Sequence, residues 1–137
     1  MGINAFILLI LLSFSVNAET LYNYKVVKIV DGDTFTIKVD FLPEELGDRI
    51  NIRILGIDTP EMRGRCIDEV MKAKEAKNYL AKVVKDNDYR VIIKGRDKYF
   101  RLIGDLKIGD KYVSKMMIDG GYAVSYNGKI HKQSWCN

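Results

Sequence analysis

Three segments with strand-like patterns precede one long amphipathic helix, and this order constrains the fold more than any other feature of the sequence. The first segment is rich in β-branched residues, and the other two alternate apolar with polar side chains; they are residues 24–30, residues 34–39 and residues 50–54. Asp31-Gly32 marks a turn between the first two, and a loop at 43–47 precedes the third. Segments with a period of two joined in this way predict a three-stranded meander.

A helix and two further strands are predicted after the meander. The helix begins at Asp68-Glu69, because acids in a first turn oppose the positive end of the helix dipole, and apolar residues then recur at spacings of three and four as far as Lys85. Residues 89–94 and 100–108 read as strands, and residues 113–119 read as a short helix. The predicted class is α+β, mainly β: a five-stranded OB-type barrel with a helix inserted after strand three and a short C-terminal helix.

Composition and charge exclude little beyond the extremes. The chain has 137 residues, of which 47% are hydrophobic and 29% charged, so it has the size of one domain and is neither a disordered tail nor a collagen-like repeat. Its net charge of +4 suits a polyanionic partner such as nucleic acid, but many ordinary proteins share such an excess. Charge alone therefore assigns no function.

The first eighteen residues form a separate unit without a charged side chain. Their apolar run at 6–12 is short for a bilayer span, which needs about 20 apolar residues. It is followed by Val16-Asn17-Ala18, which has the small-x-small pattern of a signal peptidase site. We expect residues 1–18 to be a signal peptide and residues 19–137 to be a secreted or periplasmic domain without stable membrane association. The alternative is an uncleaved membrane anchor.

Cys66 and Cys136 are the only two cysteines of the chain. Together with the single histidine, His131, they cannot build a zinc site of the usual Cys/His kind. In an oxidising compartment a disulfide between them would close a loop of about 70 residues and stabilise the fold by roughly 4 kcal/mol. The alternative is a pair of free, buried thiols.

Two acidic clusters lie at turns of the predicted meander. Asp31-Gly32-Asp33 separates strands one and two, and Asp58-Thr59-Pro60-Glu61 follows strand three. Neighbouring strands bring such turns to one end of a sheet, and several carboxylates with a backbone carbonyl are the ligands that Ca²⁺ takes. The simpler interpretation is that both clusters are ordinary turns, because Asp and Gly dominate turns for backbone reasons.

Two arginines complete the set of candidate residues. Arg53 alternates with Ile52 and Ile54, which places it on the opposite face of strand three, and Arg101 is predicted at the start of strand five. The planar fork of a guanidinium donates two hydrogen bonds to two phosphate oxygens. Taken singly, each arginine is better explained as an exposed surface residue.

Together these motifs resemble the staphylococcal nuclease (thermonuclease) family, in an exported bacterial form. The matching segments occur in the family's order; they are residues 31–34, residues 53–61 and residues 97–101. The resemblance extends from about Val26 to Tyr126 and implies an OB barrel. It also implies a Ca²⁺-dependent, sugar-nonspecific nuclease that breaks the 5′-O–P bond of DNA and RNA and leaves 3′-phosphate ends.

The resemblance implies a metal site and a catalytic acid. Asp33, Asp58 and the backbone carbonyl of Thr59 match the ligands of one Ca²⁺ ion, and Asp31 matches an acid that contacts the water of the metal. Glu61 matches the carboxylate that positions or deprotonates the attacking water.

The resemblance also implies how the substrate is held. Arg53 and Arg101 match the pair that binds the scissile phosphate. Lys98 and Tyr99 match residues near the terminal phosphate of the nucleotide, and Tyr126 matches an aromatic residue beside the base. One departure is Phe100, which stands where the best-known members have glycine.

The expected partners are DNA and RNA, with single strands preferred and no sequence specificity, because OB grooves hold strands by backbone charge and base stacking. We expect a monomer. One alternative is an OB-fold binding module that has lost catalysis. Another is a metallonuclease with an acid-and-ExK pattern at Asp68 and Glu75-Ala76-Lys77, although that pattern belongs on a strand and here lies in a predicted helix. A third is a membrane-anchored interaction protein, if residues 1–18 are retained.

Overall fold

A computed structural model of the chain describes residues 18–129 and 134–137. Within this part, the strands are β1 (Leu21–Tyr22), β2 (Lys25–Asp31), β3 (Thr34–Lys38), β4 (Arg49–Ile54), β5 (Ile57–Asp58), β6 (Arg90–Arg96), β7 (Leu102–Ile108), β8 (Lys111–Tyr112) and β9 (Val124–Ser125). The helices are α1 (Ile67–Asp86), α2 (Val113–Asp119) and a single 3₁₀ turn at Glu44–Leu46. Residues 1–17 of the predicted signal peptide lie outside the described residues, and so does His131.

One sheet carries most of the strands, in the order β1-β6-β7-β4-β3-β2, with β8 added to β7. All its neighbours are antiparallel except β4 and β7, which run parallel, with Arg53 opposite Ile103. The two-stranded β5–β9 sheet is separate from it. The parallel pair joins the meander to the second half of the chain.

The two ends of this sheet order are neighbours in the chain. Only Asn23 and Tyr24 lie between β1 and β2. In this N-terminal stretch β1 pairs with β6, and β2 pairs with β3. The Val26 N–H also donates a 2.9 Å hydrogen bond to the hydroxyl of Tyr89, just before β6. The sheet therefore curls round although no continuous ladder closes it among the described residues. The predicted α+β, OB-type architecture is confirmed.

Helix α1 follows the meander, as predicted, and begins one residue earlier than expected. Cys66 is its N-cap, and its sulfur accepts a 3.4 Å hydrogen bond from the Glu69 N–H. The residues that α1 turns towards the barrel share the helical spacing of three and four; they are Ala73, Ala76, Leu80 and Val83. At the other end the Asn87 side chain donates to the Val83 carbonyl at 2.8 Å, which satisfies one of the last carbonyls of the helix.

The core lies between the barrel and the two helices. The meander contributes the inward side chains of the alternating pattern, among them Phe35, Ile52 and Ile54, all fully buried. Leu106 of β7 and Met117 of α2 pack with them. Each such side chain contributes about 1.5–3 kcal/mol to folding, so the alternation that defined the strands also supplies the main stabilising contacts.

The structure also corrects the predicted boundaries of the last two predicted strands and adds a turn to one loop. The strand predicted at 100–108 begins at Leu102, because Phe100 has a φ of 65° and cannot continue a strand. Strand β6 extends two residues beyond Lys94, to Arg96. The loop at 43–47 contains the 3₁₀ turn.

A disulfide joins Cys66 to Cys136, with 6.0 Å between their Cα atoms. It ties the end of the chain to the start of α1. Lys72 of that helix also donates a 3.2 Å hydrogen bond to the Trp135 carbonyl. Among residues 18–129 and 134–137, no helix has the length and apolar character needed to cross a membrane.

Candidate functional site

The turn between β2 and β3 is built on its own carboxylates. The Asp33 N–H donates a 3.0 Å hydrogen bond to Asp31 Oδ1, and the Thr34 hydroxyl donates to Asp33 Oδ1 at 3.1 Å. These local bonds are those of an Asx turn, so the interpretation of this acidic cluster as an ordinary turn agrees with the structure. It is incomplete, because Asp33 is 8% exposed and its second oxygen contacts a different part of the chain.

Gly32 is required by close packing rather than by an unusual backbone angle. A Cβ atom placed on it would lie 2.8 Å from the Ala76 Cβ of α1 and 3.1 Å from the Thr59 Cβ. The absence of a side chain therefore lets the turn sit against α1 and against the segment that follows β5. This contact sets Asp33 beside the second acidic cluster.

The second cluster is positioned by the short β5–β9 pair. Gly56, with a φ of 84°, turns the chain out of β4, and Asp58 then pairs with Val124. The Tyr126 N–H donates a 2.9 Å hydrogen bond to the Gly56 carbonyl. Asp58 and Thr59 are each only 3% exposed, so this turn is part of the packed interior.

Arg53 connects the two turns. Its Nη2 lies 3.3 Å from Asp33 Oδ2 and 3.9 Å from Asp58 Oδ1, so carboxylates from both clusters lie within 4 Å of one nitrogen. The same guanidinium donates to the main-chain carbonyls of Ile54 at 3.0 Å and Ile57 at 3.1 Å. The Tyr126 ring centroid is 5.9 Å from its central carbon. We call Asp31, Asp33, Arg53, Asp58 and Tyr126 the Arg53 pocket.

Negative charge exceeds positive charge among these residues. Burial, followed by the charge of Asp33, raises the pKa of Asp31 to about 6. Three carboxylates and one guanidinium make this group net anionic when all are ionised. Buried carboxylate oxygens with a nearby main-chain carbonyl are hard donors, and they fit Ca²⁺ better than a soft metal.

The carboxylates do not form a tight cage by themselves. The only three metal-binding side chains whose ligand atoms all lie within 4.8 Å of one another, in the part of the chain that the structure describes, are Cys66, Glu69 and Cys136. Two of these are joined in the disulfide. In the Arg53 pocket, Asp33 and Asp58 are instead drawn towards the guanidinium. The resemblance implies a cation held by Asp33, Asp58 and the Thr59 carbonyl, and this ligand set stays a prediction.

Arg101 lies in the turn that joins β6 to β7, which we call the 97–101 turn. Asp97 organises this turn: its Oδ1 accepts from the Tyr99 N–H at 2.9 Å and from the Arg101 N–H at 3.0 Å, and its Oδ2 accepts from Arg101 Nε at 2.7 Å. The Arg101 guanidinium is therefore paired with an acid of its own turn. It is, however, close to Arg53 in the fold, because Ile103, two residues further along, lies opposite Arg53.

The remaining predicted substrate residues are exposed. Lys98 and Tyr99 project from the 97–101 turn, with 5.1 Å between the Lys98 Nζ and the Tyr99 ring centroid. Glu61 lies in the exposed segment after Pro60, three residues beyond Asp58. Its catalytic role stays a prediction, as do the roles of the other site residues.

Three contacts were missed by reasoning from the sequence. The packing of Gly32 and the pairing of β5 with β9 leave no local pattern, because both depend on segments distant in the chain. The bonds of Asp97 were readable: an aspartate followed two residues later by a main-chain donor is an Asx-turn signal.

One known family matches more than half of the chain. The family described as staphylococcal nuclease homologue matches residues 51–135, a range that includes Arg53, Asp58, Glu61 and Arg101 and begins after Asp33.

The chain is also similar to individual proteins. A staphylococcal-like nuclease of Arabidopsis thaliana is 31% identical over 103 residues, which is 72% of this chain and 30% of that protein. A thermonuclease of Staphylococcus hyicus is 26% identical over 102 residues, covering 73% of this chain and 57% of the relative. A probable endonuclease of Yarrowia lipolytica is 30% identical over 87 residues, covering 61% and 38%. The matched part of this chain thus spans less than a third of the length of the plant relative.

Proposed function

This chain belongs to the staphylococcal nuclease homologue family, and from that premise we propose that it hydrolyses phosphodiester bonds of DNA and RNA with the help of one Ca²⁺ ion. The observation that carries the proposal is the position of Arg53 between Asp33 and Asp58. A guanidinium beside two buried carboxylates places a phosphate-binding group next to cation-binding groups. Hydrolysis of a phosphodiester needs both.

Asp33, Asp58 and the Thr59 carbonyl are the groups that would hold the ion. When bound, a divalent cation supplies Lewis-acid polarisation of a phosphate oxygen. The two carboxylates are only 8% and 3% exposed, so little water competes for their oxygens. Asp31 hydrogen-bonds to the Asp33 N–H and keeps this turn in shape.

Arg53 is oriented before any substrate arrives. Its bonds to the Ile54 and Ile57 carbonyls fix the plane of the guanidinium, and its side chain is 15% exposed. A fixed positive charge next to a phosphate stabilises the additional negative charge of the transition state without reorganisation. We assign this role to Arg53.

Arg101 would supply the second cation of the phosphate site. In the structure its guanidinium is bound to Asp97, in an ion pair whose arginine side chain is 55% exposed. Exposed pairs of this kind contribute at most about 1 kcal/mol, so a phosphate can replace the Asp97 carboxylate at small cost. Glu61 is the proposed base that takes a proton from the attacking water.

The finer features of the proposal follow from the resemblance. Attack breaks the 5′-O–P bond and leaves a 3′-phosphate, on either sugar and without base specificity. We propose preference for single strands, export to the periplasm or the medium after removal of residues 1–18, and action as a monomer. Measuring the mass of the exported chain tests the cleavage of the signal peptide.

The decisive experiment measures cleavage of single-stranded DNA, duplex DNA and RNA in Ca²⁺ and in EDTA, with analysis of the product ends. We expect cleavage in Ca²⁺, 3′-phosphate ends and no turnover in EDTA. Binding without cleavage in Ca²⁺ would instead support the inactive OB-fold module. Cleavage that persists in EDTA would contradict the metal site.

A matched pair of variants tests the base. Glu61→Gln removes the proton acceptor and keeps the size of the side chain, so we expect turnover to fall by about 10²–10⁴-fold. Glu45→Gln is the control, because Glu45 is an exposed glutamate in the 3₁₀ turn. Equal turnover in the two variants would remove the role of Glu61. Ca²⁺-dependent stabilisation against heat, measured on both, shows whether the metal site is retained.

A further inference from the structure

Phe100 has a backbone conformation that suits glycine. Its φ is 65°, and it is the only residue other than glycine with a positive φ in the described part of the chain. A side chain is strained in this region, whereas glycine adopts it freely. The strain is not offset by burial, since Phe100 is 74% exposed. An exposed aromatic ring kept in a strained position indicates a use other than folding.

The ring is held in place by Arg96, the last residue of β6. The guanidinium carbon of Arg96 lies 4.1 Å from the centroid of the Phe100 ring, which is close cation–π contact. Nη1 of the same group donates a 2.7 Å hydrogen bond to the Phe100 carbonyl. The Phe100 N–H donates to the Asp97 carbonyl at 2.9 Å. Backbone and ring are thus both fixed, while most of the ring surface stays open.

The surroundings of Phe100 suit a nucleic acid strand. Tyr99, next in the chain, is 68% exposed and has Lys98 and Arg101 within 5.5 Å of its ring centroid. Residues 96–101 contain three cations and one acid, Asp97, which is paired with Arg101. Aromatic faces beside fixed cations bind successive bases and phosphates of a single strand.

The 97–101 turn also lies beside the Arg53 pocket. Ile103 is opposite Arg53 in the parallel β4–β7 pair, and two residues of extended chain, about 7 Å, separate Ile103 from Arg101. A strand held at Arg53 therefore needs to extend only a short way to reach the aromatic residues of the turn.

We propose that Phe100, braced by Arg96, is an additional base-stacking residue that extends the substrate site beyond Tyr99 and selects unpaired nucleic acid. The inference rests on the proposed function. The group that would stack on Phe100 is an unpaired base, because stacking on an aromatic side chain needs an exposed base face. The base-paired interior of a duplex offers no such face.

The test compares Phe100→Gly with Phe41→Gly. Phe41 is 75% exposed, so the control removes a ring of the same kind and exposure from another surface. Binding of a fluorescent oligothymidylate and of a blunt duplex is measured in EDTA, and KM and kcat for the single strand are measured in Ca²⁺. Thermal unfolding of each variant completes the set.

We expect Phe100→Gly to weaken single-strand binding by about five-fold or more, the lower end of the range for stacking on one side chain. KM should rise with little change in kcat, duplex binding should not change, and the melting temperature should not fall, because glycine suits this φ. Phe100→Tyr, which keeps an aromatic face, should bind single strands as tightly as the unsubstituted protein.

Two results would overturn the inference. One is equal single-strand affinity for Phe100→Gly and Phe41→Gly. The other is a loss for Phe100→Gly that is the same for duplex and single strand. The proposed function is tested separately by the unsubstituted protein: if it cleaves and Phe100→Gly binds normally, only the stacking role fails. If the unsubstituted protein neither binds nor cleaves nucleic acid, both fail.

Discussion

The Arg53 pocket and the 97–101 turn each present an arginine, but they are held together by different means. Arg53 bonds to Asp33, twenty residues away in the chain, and Gly32 packs against Ala76 of α1. In the 97–101 turn every carboxylate bond of Asp97 reaches a residue within four positions. The pocket exists only in the folded protein, whereas the turn is shaped by its own residues. This difference predicts which substitutions cost stability as well as activity.

Arg53→Ala should have the largest effect. Removal of the guanidinium leaves Asp33 and Asp58 buried without it, and breaking a buried pair in this way costs about 3–5 kcal/mol of folding free energy. We also expect turnover to fall by at least about 10²–10³-fold, as for loss of one transition-state donor. Arg49→Ala, at the exposed start of the same strand, is the control. Urea unfolding and cleavage rates report the two losses.

A stable but inactive Arg53→Ala protein would contradict this difference between the Arg53 pocket and the 97–101 turn. That result would mean that the two carboxylates tolerate the loss of their arginine, and that the pocket is less dependent on its long-range ion pairs than the geometry indicates. A Ca²⁺-dependent rise in melting temperature would then show whether the ion alone holds Asp33 and Asp58 together.

Arg101→Ala should lower turnover without lowering stability. The residue is exposed and its bonds are local, so the free energy of unfolding should change by less than about 0.5 kcal/mol. Turnover should fall by about 10²-fold because the phosphate loses one of its two cations, and binding of substrate should weaken less than turnover. Arg90→Ala, on the exposed surface of β6, is the control for general charge. Equal turnover for these two variants would exclude Arg101 from the phosphate site.

The same contrast explains what the sequence predicts well. The alternation in β3 and β4 and the helical spacing in α1 are local patterns, and each bears directly on which side chains are buried. The expectation that both acidic clusters lie at one end of the meander also follows from strand order. The structure brings Asp33 and Asp58 to Arg53 as that argument requires.

Two features of the fold were not predicted from the sequence: the β5–β9 pair and the start of β7. Strands β5 and β9 have two residues each, too few for a periodic pattern, although their pairing carries Tyr126 towards Arg53. The start of the predicted fifth strand was misplaced because phenylalanine is common in strands, whereas Phe100 has a turn conformation. Arg96, whose guanidinium lies over the Phe100 ring, is four residues earlier, at the end of the preceding strand.

Gly32→Ala should have the smallest effect on turnover, and it is the most specific test of the pocket. The added methyl group would lie 2.8 Å from the Ala76 Cβ, so either the turn or α1 must move. We expect a loss of about 1–3 kcal/mol of stability, typical of overpacking, and weaker Ca²⁺ dependence of cleavage because Asp33 moves with the turn.

The double variant Gly32→Ala/Ala76→Gly separates packing from backbone effects. Ala76→Gly alone should cost about 1 kcal/mol through loss of helix propensity, yet in the double variant it removes the atom that the new methyl group meets. If the pocket depends on this contact, the two changes will cost less together than the sum of their separate costs, and Ca²⁺ dependence will be partly restored. Strict additivity would show that the position of Asp33 is set by the Asx turn itself, and the Arg53 pocket would then be as locally determined as the 97–101 turn.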